Sequence, residues 1–186
     1  MPDAANVQVA ATGALYIAAI GTTAPTNASA AWPAGWKELG YLSDDGVTET
    51  PTLDSEEIKA WQNGAVVRTP ITGSRFNIGF TVIETRYEVL ELFYPGSVIT
   101  QETGPPLETK LDIRLPLAKP WAFGLDVIDG TMLERTILKR AELFERGERN
   151  NQNAAARGFP MVLSASPDSV TSLAVRFYQP QLVAAA

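Results

Sequence analysis

The chain has 186 residues, 45% hydrophobic and 19% charged, which is the composition of one globular domain and excludes a collagen, a disordered chain or a coiled coil. It contains no cysteine and no histidine. Disulfides, Cys/His zinc sites, thiol nucleophiles and every triad that needs an imidazole are therefore excluded. The net charge is −6 and arises wholly in residues 1–66, where eight acids outnumber two bases; residues 67–186 carry thirteen of each sign. An acidic chain of this kind offers nucleic acid no cationic grip.

Along the chain, Leu15–Ala19 reads as a strand bounded by Gly13 and Gly21. Gly21–Gly35, with its Thr, Ala, Asn, Ser and Pro residues, reads as an exposed loop. Asp44-Asp45-Gly46 is a turn signal, and Glu49–Asn63 has no clean period and reads as part of a long loop. From Arg75 to Ile83 apolar and small residues alternate, which predicts a strand with one buried face. Over Glu84–Tyr94 the period changes: Tyr87, Leu90, Phe93 and Tyr94 share a helix face, Glu84 suits the helix N-terminus, and Pro95-Gly96 ends it.

Leu111–Leu117 alternates again and predicts a strand, with Pro116 placing it at an edge. Trp121–Ile128 predicts another strand, followed by Asp129-Gly130, a strong hairpin signal. Thr131–Lys139 has two competing patterns, since Leu133, Ile137, Ala141 and Phe144 also fit a helical stripe; the hairpin turn decides for a returning strand. Residues 146–158 read as a polar loop, Phe159–Ala165 and Leu173–Tyr178 as strands joined by a turn at Pro167-Asp168, and Gln179–Ala186 as a tail. Seven or eight strands with one short helix predict a mainly β fold, a sandwich or barrel with a flanking helix and long arms.

No Gly-rich phosphate loop is present, and Asp44-Asp45-Gly46 with Glu49 lacks calcium-loop spacing. Acids crowded into a proline-containing loop are a poor platform for paired-carboxylate hydrolysis. No catalytic, cofactor-binding or metal-binding residue is assigned, and no cofactor is expected. The first 20 residues lack Lys and Arg, and Gly13–Ile20 is too short to span a bilayer, so a soluble cytoplasmic product without membrane association is expected. Trp32, Trp36 and Trp61 stand in or beside the acidic region, either pinning it to the domain or anchoring a protein–protein interface.

Gly35–Val47, Ser55–Gln62, Phe76–Leu92, Ala141–Gly147 and Gly158–Phe177, taken in order, resemble the major tail tube proteins of bacteriophages with long non-contractile tails. The resemblance implies a single tail tube domain over 1–186, with an N-terminal arm at 1–13, an inter-ring loop at about 43–69 and a C-terminal arm at 179–186. It implies hexameric rings stacked into the conduit for genome ejection, a structural virion component made in the host cytoplasm. Other copies of itself, tape measure, tail tip and tail terminator proteins are the implied partners, and DNA passes without specific binding. A ring-forming carrier of a contractile or secretion apparatus is the alternative, a carboxylate-dependent hydrolase the more remote one. Assembly candidates are Trp36, Tyr41, Asp44, Asp45, Glu56, Glu57 and Trp61, with Arg68, Arg75, Arg146, Arg149 and Arg157 as basic partners on a neighbour. Asp112, Glu134 and Glu142 are the lumen candidates.

Overall fold

The computed structural model describes residues 7–153, 156–167 and 172–180. Asp168 of the turn expected at Pro167-Asp168, residues 1–6 of the N-terminal arm and residues 181–186 of the C-terminal arm fall outside these residues. The strands are β1 (Thr12–Ala19), β2 (Lys37–Glu38), β3 (Leu42–Ser55), β4 (Ile58–Lys59), β5 (Val66–Arg68) and β6 (Ile71–Val82). After helix α1 (Tyr87–Phe93) come β7 (Val98–Gln101), β8 (Thr109–Asp112), β9 (Trp121–Asp129), β10 (Met132–Arg146), β11 (Phe159–Ala165) and β12 (Val175–Gln179). An eight-stranded sheet runs β2-β1-β9-β10-β11-β6-β3, with β12 also paired to β10. Its ladders are all antiparallel, as the mainly β expectation requires.

The alternating residues read from the sequence supply the core. Leu15, Ile17, Ile78, Phe80, Val82, Phe123, Leu125, Leu138, Phe159, Met161 and Leu163 meet in one cluster, joined by Val89, Leu92 and Phe93 from α1. Each fully buried Leu, Val or Phe contributes about 1.5–3 kcal/mol by leaving water. That one cluster draws on both ends of the sheet means that the sheet is curled around it. β10 makes the bend: its first half pairs with β9 and β12, its second half with β11, and its register slips at Leu138/Ala141 and Leu143/Glu145.

The chain between β2 and β3 ties the two sheet edges together. Leu39 donates its amide to the Leu15 carbonyl, while the Tyr41 carbonyl accepts from the Ile83 amide. Gly40 sits between them at φ 92°, where an added Cβ would lie 2.5 Å from a Glu84 carboxylate oxygen. That carboxylate accepts from the Tyr41 amide and pairs with Arg86 Nε at 2.7 Å.

Several expectations are corrected here. Glu84 precedes the helix and braces the Gly40 crossing; the helix N-cap is Arg86, which makes no side-chain cap hydrogen bond. The buried helix face is Val89, Leu92 and Phe93, with Tyr87 left open. Asp44-Asp45-Gly46 does not reverse the chain; it lies within β3, where the register jumps between Leu42 and Val47. The long loop at 43–69 is a β-hairpin: β3 pairs with β6 out to Ser55 and Ile71, and β4 with β5 beyond. The strand expected at Leu111–Leu117 ends at Asp112, and Ile113, Leu115 and Leu117 point into solvent. Its partner β7 belongs to a separate two-stranded hairpin and covers no core.

Candidate assembly surface

The 21–35 segment is a strap lying against the sheet. Asp126 and Arg135 are directly opposite on β9 and β10 and form a two-point ion pair at 2.6 and 2.7 Å, both almost completely buried. Arg135 also donates to the carbonyls of Asn27 and Ala30. Trp32 donates Nε1–H to Asp126 at 2.8 Å, stacks on Tyr16 at 4.3 Å, and lies under the Arg135 guanidinium at 4.4 Å. The indole fits because β9 carries glycine there: a Cβ on Gly124 would stand 2.1 Å from Trp32 Cη2. Trp36 completes the strap, 4.7 Å from Trp32 and donating to the Thr23 carbonyl. The segment read as an exposed loop is thus fastened at its middle.

The β3–β6 hairpin behaves differently. From Val47 to Glu49 its inward face still reaches the core or its margin. From Thr50 to Ser55 both faces are exposed, as are β4 and β5. This projecting part is the arm. It ends at Trp61–Gly64, closed by an Ala60 amide to Ala65 carbonyl bond of 2.7 Å, with Asn63 and Gly64 at φ 66° and 64°. Trp61 is 98% exposed. Leu53, Ile58, Val66, Val67 and Ile71 add apolar surface. Pro51 is tolerated because β3 is an edge strand and Pro51 needs no amide partner on its open side.

At the arm's base, Arg176 from β12 holds Glu49 through two short hydrogen bonds and pairs with Glu134 at 3.1 Å. Burial pushes the Glu134 carboxyl above its ordinary value; Arg176 opposes the shift and the Glu49 charge adds to it. Burial disfavours the Arg176 charge, yet its bonds to Glu49 and Tyr178 hold its proton more firmly than usual.

The structure separates the residues singled out from the sequence. Glu56, Glu57, Trp61, Arg68 and Arg75 share the arm, with Glu57 3.5 Å from Lys59. Tyr41, Asp44 and Asp45 are exposed where β3 begins. Trp36 serves the strap. Arg146 and Arg149 lie over Phe93 and Phe159 at 5.9 and 4.0 Å and donate to the Phe93 carbonyl and the Tyr94 hydroxyl. Arg157 is exposed before β11. Asp112 pairs with Arg114, and Glu142 with Arg140 at 2.9 Å. Glu134 faces the core side, opposite Val127, and not the outer side expected of a lumen acid.

The sequence reading missed Asp126, Arg135 and Arg176. The first two were legible: a turn that sets Asp129 opposite Met132 also sets Asp126 opposite Arg135. Arg176 carried no local signal.

Among the described residues no group of three or more Asp, Glu, His or Cys side chains is placed to hold a metal, and no helix is long and apolar enough to cross a membrane. No curated protein matches the chain. The family model for phage tail tube proteins matches residues 1–185. A mainly antiparallel β domain with edge strands and a projecting arm, matched over nearly its whole length, belongs to the phage tail tube protein family, a structural and non-enzymatic component of the virion tail.

Proposed function

We propose that this chain builds the tail tube by self-assembly, six copies to a ring and rings stacked through the arm, and that the tube conducts the genome from the virion to the host. The observation that carries the reading is the arm. An isolated two-stranded hairpin is marginal in water, and this one extends past the core with apolar residues on view. A neighbouring copy supplies the missing contact. Tape measure, tail tip and tail terminator proteins are the further partners at the ends of such a tube.

The open edge of β3 suits sheet-to-sheet pairing around a ring, which removes exposed edges. The outer face of β3, β6, β11 and the second half of β10 suits the lumen. One row of side chains across these strands reads Thr50, Asn77, Ser164 and Glu142, and the next Thr48, Gly79, Val162 and Glu145. Uncharged small groups with two acids at the margin, one of them already holding Arg140, give DNA phosphates little to hold. Glu142 is thus the lumen acid favoured by position; Asp112 lies on the separate β7–β8 hairpin and Glu134 on the core side.

The test is electron microscopy with light scattering of the purified protein over a concentration series. The wild type is expected to form hollow tubes of stacked rings. Glu56→Lys with Glu57→Lys is expected to abolish them while the circular dichroism of the monomer is unchanged. A wild type that stays monomeric throughout overturns self-assembly, and an undiminished tube yield from the double variant overturns the role of the arm.

A further inference from the structure

The curled sheet does not close along its whole seam. The 37–42 crossing joins β1 to β6 at one end, but Thr12–Ala14 have no ladder partner on the side away from β9. Ser43–Gly46 have none at all. Between these two edges lies a cleft of about 350 Å³. Its floor is apolar, made by Leu42, Val47, Leu125 and Val127, and Asp44 lies on its lining together with Glu49, which Arg176 holds. At this seam the core reaches the surface without a cover.

We propose that the cleft receives Trp61 of a second copy. The proposal rests on arm-mediated assembly and names the seat into which the arm docks. The cleft lies at the lower end of the roughly 300–1,000 Å³ range of ligand pockets and has room for an indole. Trp61 is the most exposed of the large apolar side chains, at 98%, and is carried on a hairpin tip. An indole takes an apolar floor for its rings and an acceptor for its N–H. The cleft offers both, and within this same chain Trp32 already satisfies its N–H on a carboxylate, that of Asp126.

One charge pair adds to the shape, while the arm's acids Asp54, Glu56 and Glu57 must face away from the acidic cleft, to partners elsewhere on the neighbour. Arg68, on the arm strand that returns from the tip, makes no ion pair among the described residues, and neither do Asp44 and Asp45. Docking brings the unmatched cation to Asp44, the unmatched acid on the cleft. The tip and the cleft are different patches of one surface, so the contact is heterologous: each copy gives a tip to one neighbour and a cleft to another. A contact of this type closes into a ring or, where its rotation does not close, propagates along an axis as stacking requires.

The absence of native cysteine makes the test clean. Gln62→Cys keeps Trp61 and places a thiol on the tip; Ser43→Cys places one at the cleft. Mixed, assembled and oxidised, the two variants are expected to give a covalent dimer in tubes. Gln62→Cys mixed with Leu115→Cys gives the comparison. Trp61→Ala is expected to raise the concentration needed for tubes by about tenfold or more, as loss of a buried aromatic anchor does. Arg68→Glu is expected to weaken assembly, and Asp44→Lys to restore it. Tubes of the mixed cysteine variants in which the 62–43 bond forms no better than the 62–115 bond overturn this seat and leave arm-mediated assembly standing. Absence of wild-type tubes overturns assembly itself, and the seat with it.

Discussion

The strap at 21–35 and the arm beyond Thr50 are both long excursions from the sheet, and they are held by opposite means. The strap has almost no regular backbone pairing and is fastened by side chains: Trp32 over Gly124, and Arg135 reaching up to its carbonyls. The arm has a continuous backbone ladder and no side chain fastened to the domain beyond its base. One excursion spends its tryptophan inside the chain; the other keeps it outside. The difference indicates where a partner is needed, because a ladder alone fixes a shape without burying it.

The comparison can be broken most severely from the strap side. Arg135→Met leaves the Asp126 carboxylate buried beside Trp32 without its cation, and a loss of about 3–5 kcal/mol is expected in denaturant unfolding. Next comes Gly124→Ala, whose methyl group collides with the Trp32 ring. A loss of about 1–3 kcal/mol is expected, with reduced near-ultraviolet dichroism as the Tyr16–Trp32–Trp36 stack is displaced. On the arm, Leu53→Ala is expected to change monomer stability by no more than about 0.5 kcal/mol, since Leu53 is exposed in the free chain. A larger loss in the monomer would show that the arm folds back on its own domain.

The smallest effects are in pH dependence, and they have opposite signs at the two places. At the arm's base, Glu134 titrates above the ordinary glutamate value of 4.5. Its contribution is fully present below 4.5 and is lost as pH rises through the raised value. At the strap's exit, burial alone would raise Glu88, but its bonds to Lys37 and to backbone, with the nearby cations, bring it below 4.5. Its contribution is present above 4.5 and is lost as pH falls through the lowered value. Thermal unfolding between about pH 3 and 7 is expected to show Glu134→Gln flattening the upper slope and Glu88→Gln the lower one.

The parts of the fold legible in sequence are those where local chemistry and burial agree. Asp129-Gly130 made its hairpin, and the alternation from Phe76 to Val82 made a strand with one buried face. The arm was hidden because its apolar residues are scattered and none is buried, so a search for buried periodicity has nothing to detect. Its signal lay elsewhere, in β-branched Thr48, Thr50 and Thr52 at every second position and in Asn63-Gly64 at the turn. Leu111–Leu117 misled for the converse reason: its alternation is real, but only its first two residues are paired, and Ile113, Leu115 and Leu117 meet no core in the single chain. Of the assembly candidates, acidity found the arm and the rim of the seam. It could not reveal that Arg146 and Arg149 are already occupied by Phe93 and Phe159.

The way β6 is rooted also has a mechanical meaning. A pull on the arm's tip along its length draws β3 and β6 out together, so the load falls on the ladder between β6 and β11. That ladder runs in register from Phe159 opposite Val82 to Ser164 opposite Asn77. Its hydrogen bonds lie across the direction of pull and are strained in shear, so they share the force and give way together instead of unzipping in sequence. A tube joined through its arms, as proposed, therefore carries tension along the strongest direction of each subunit.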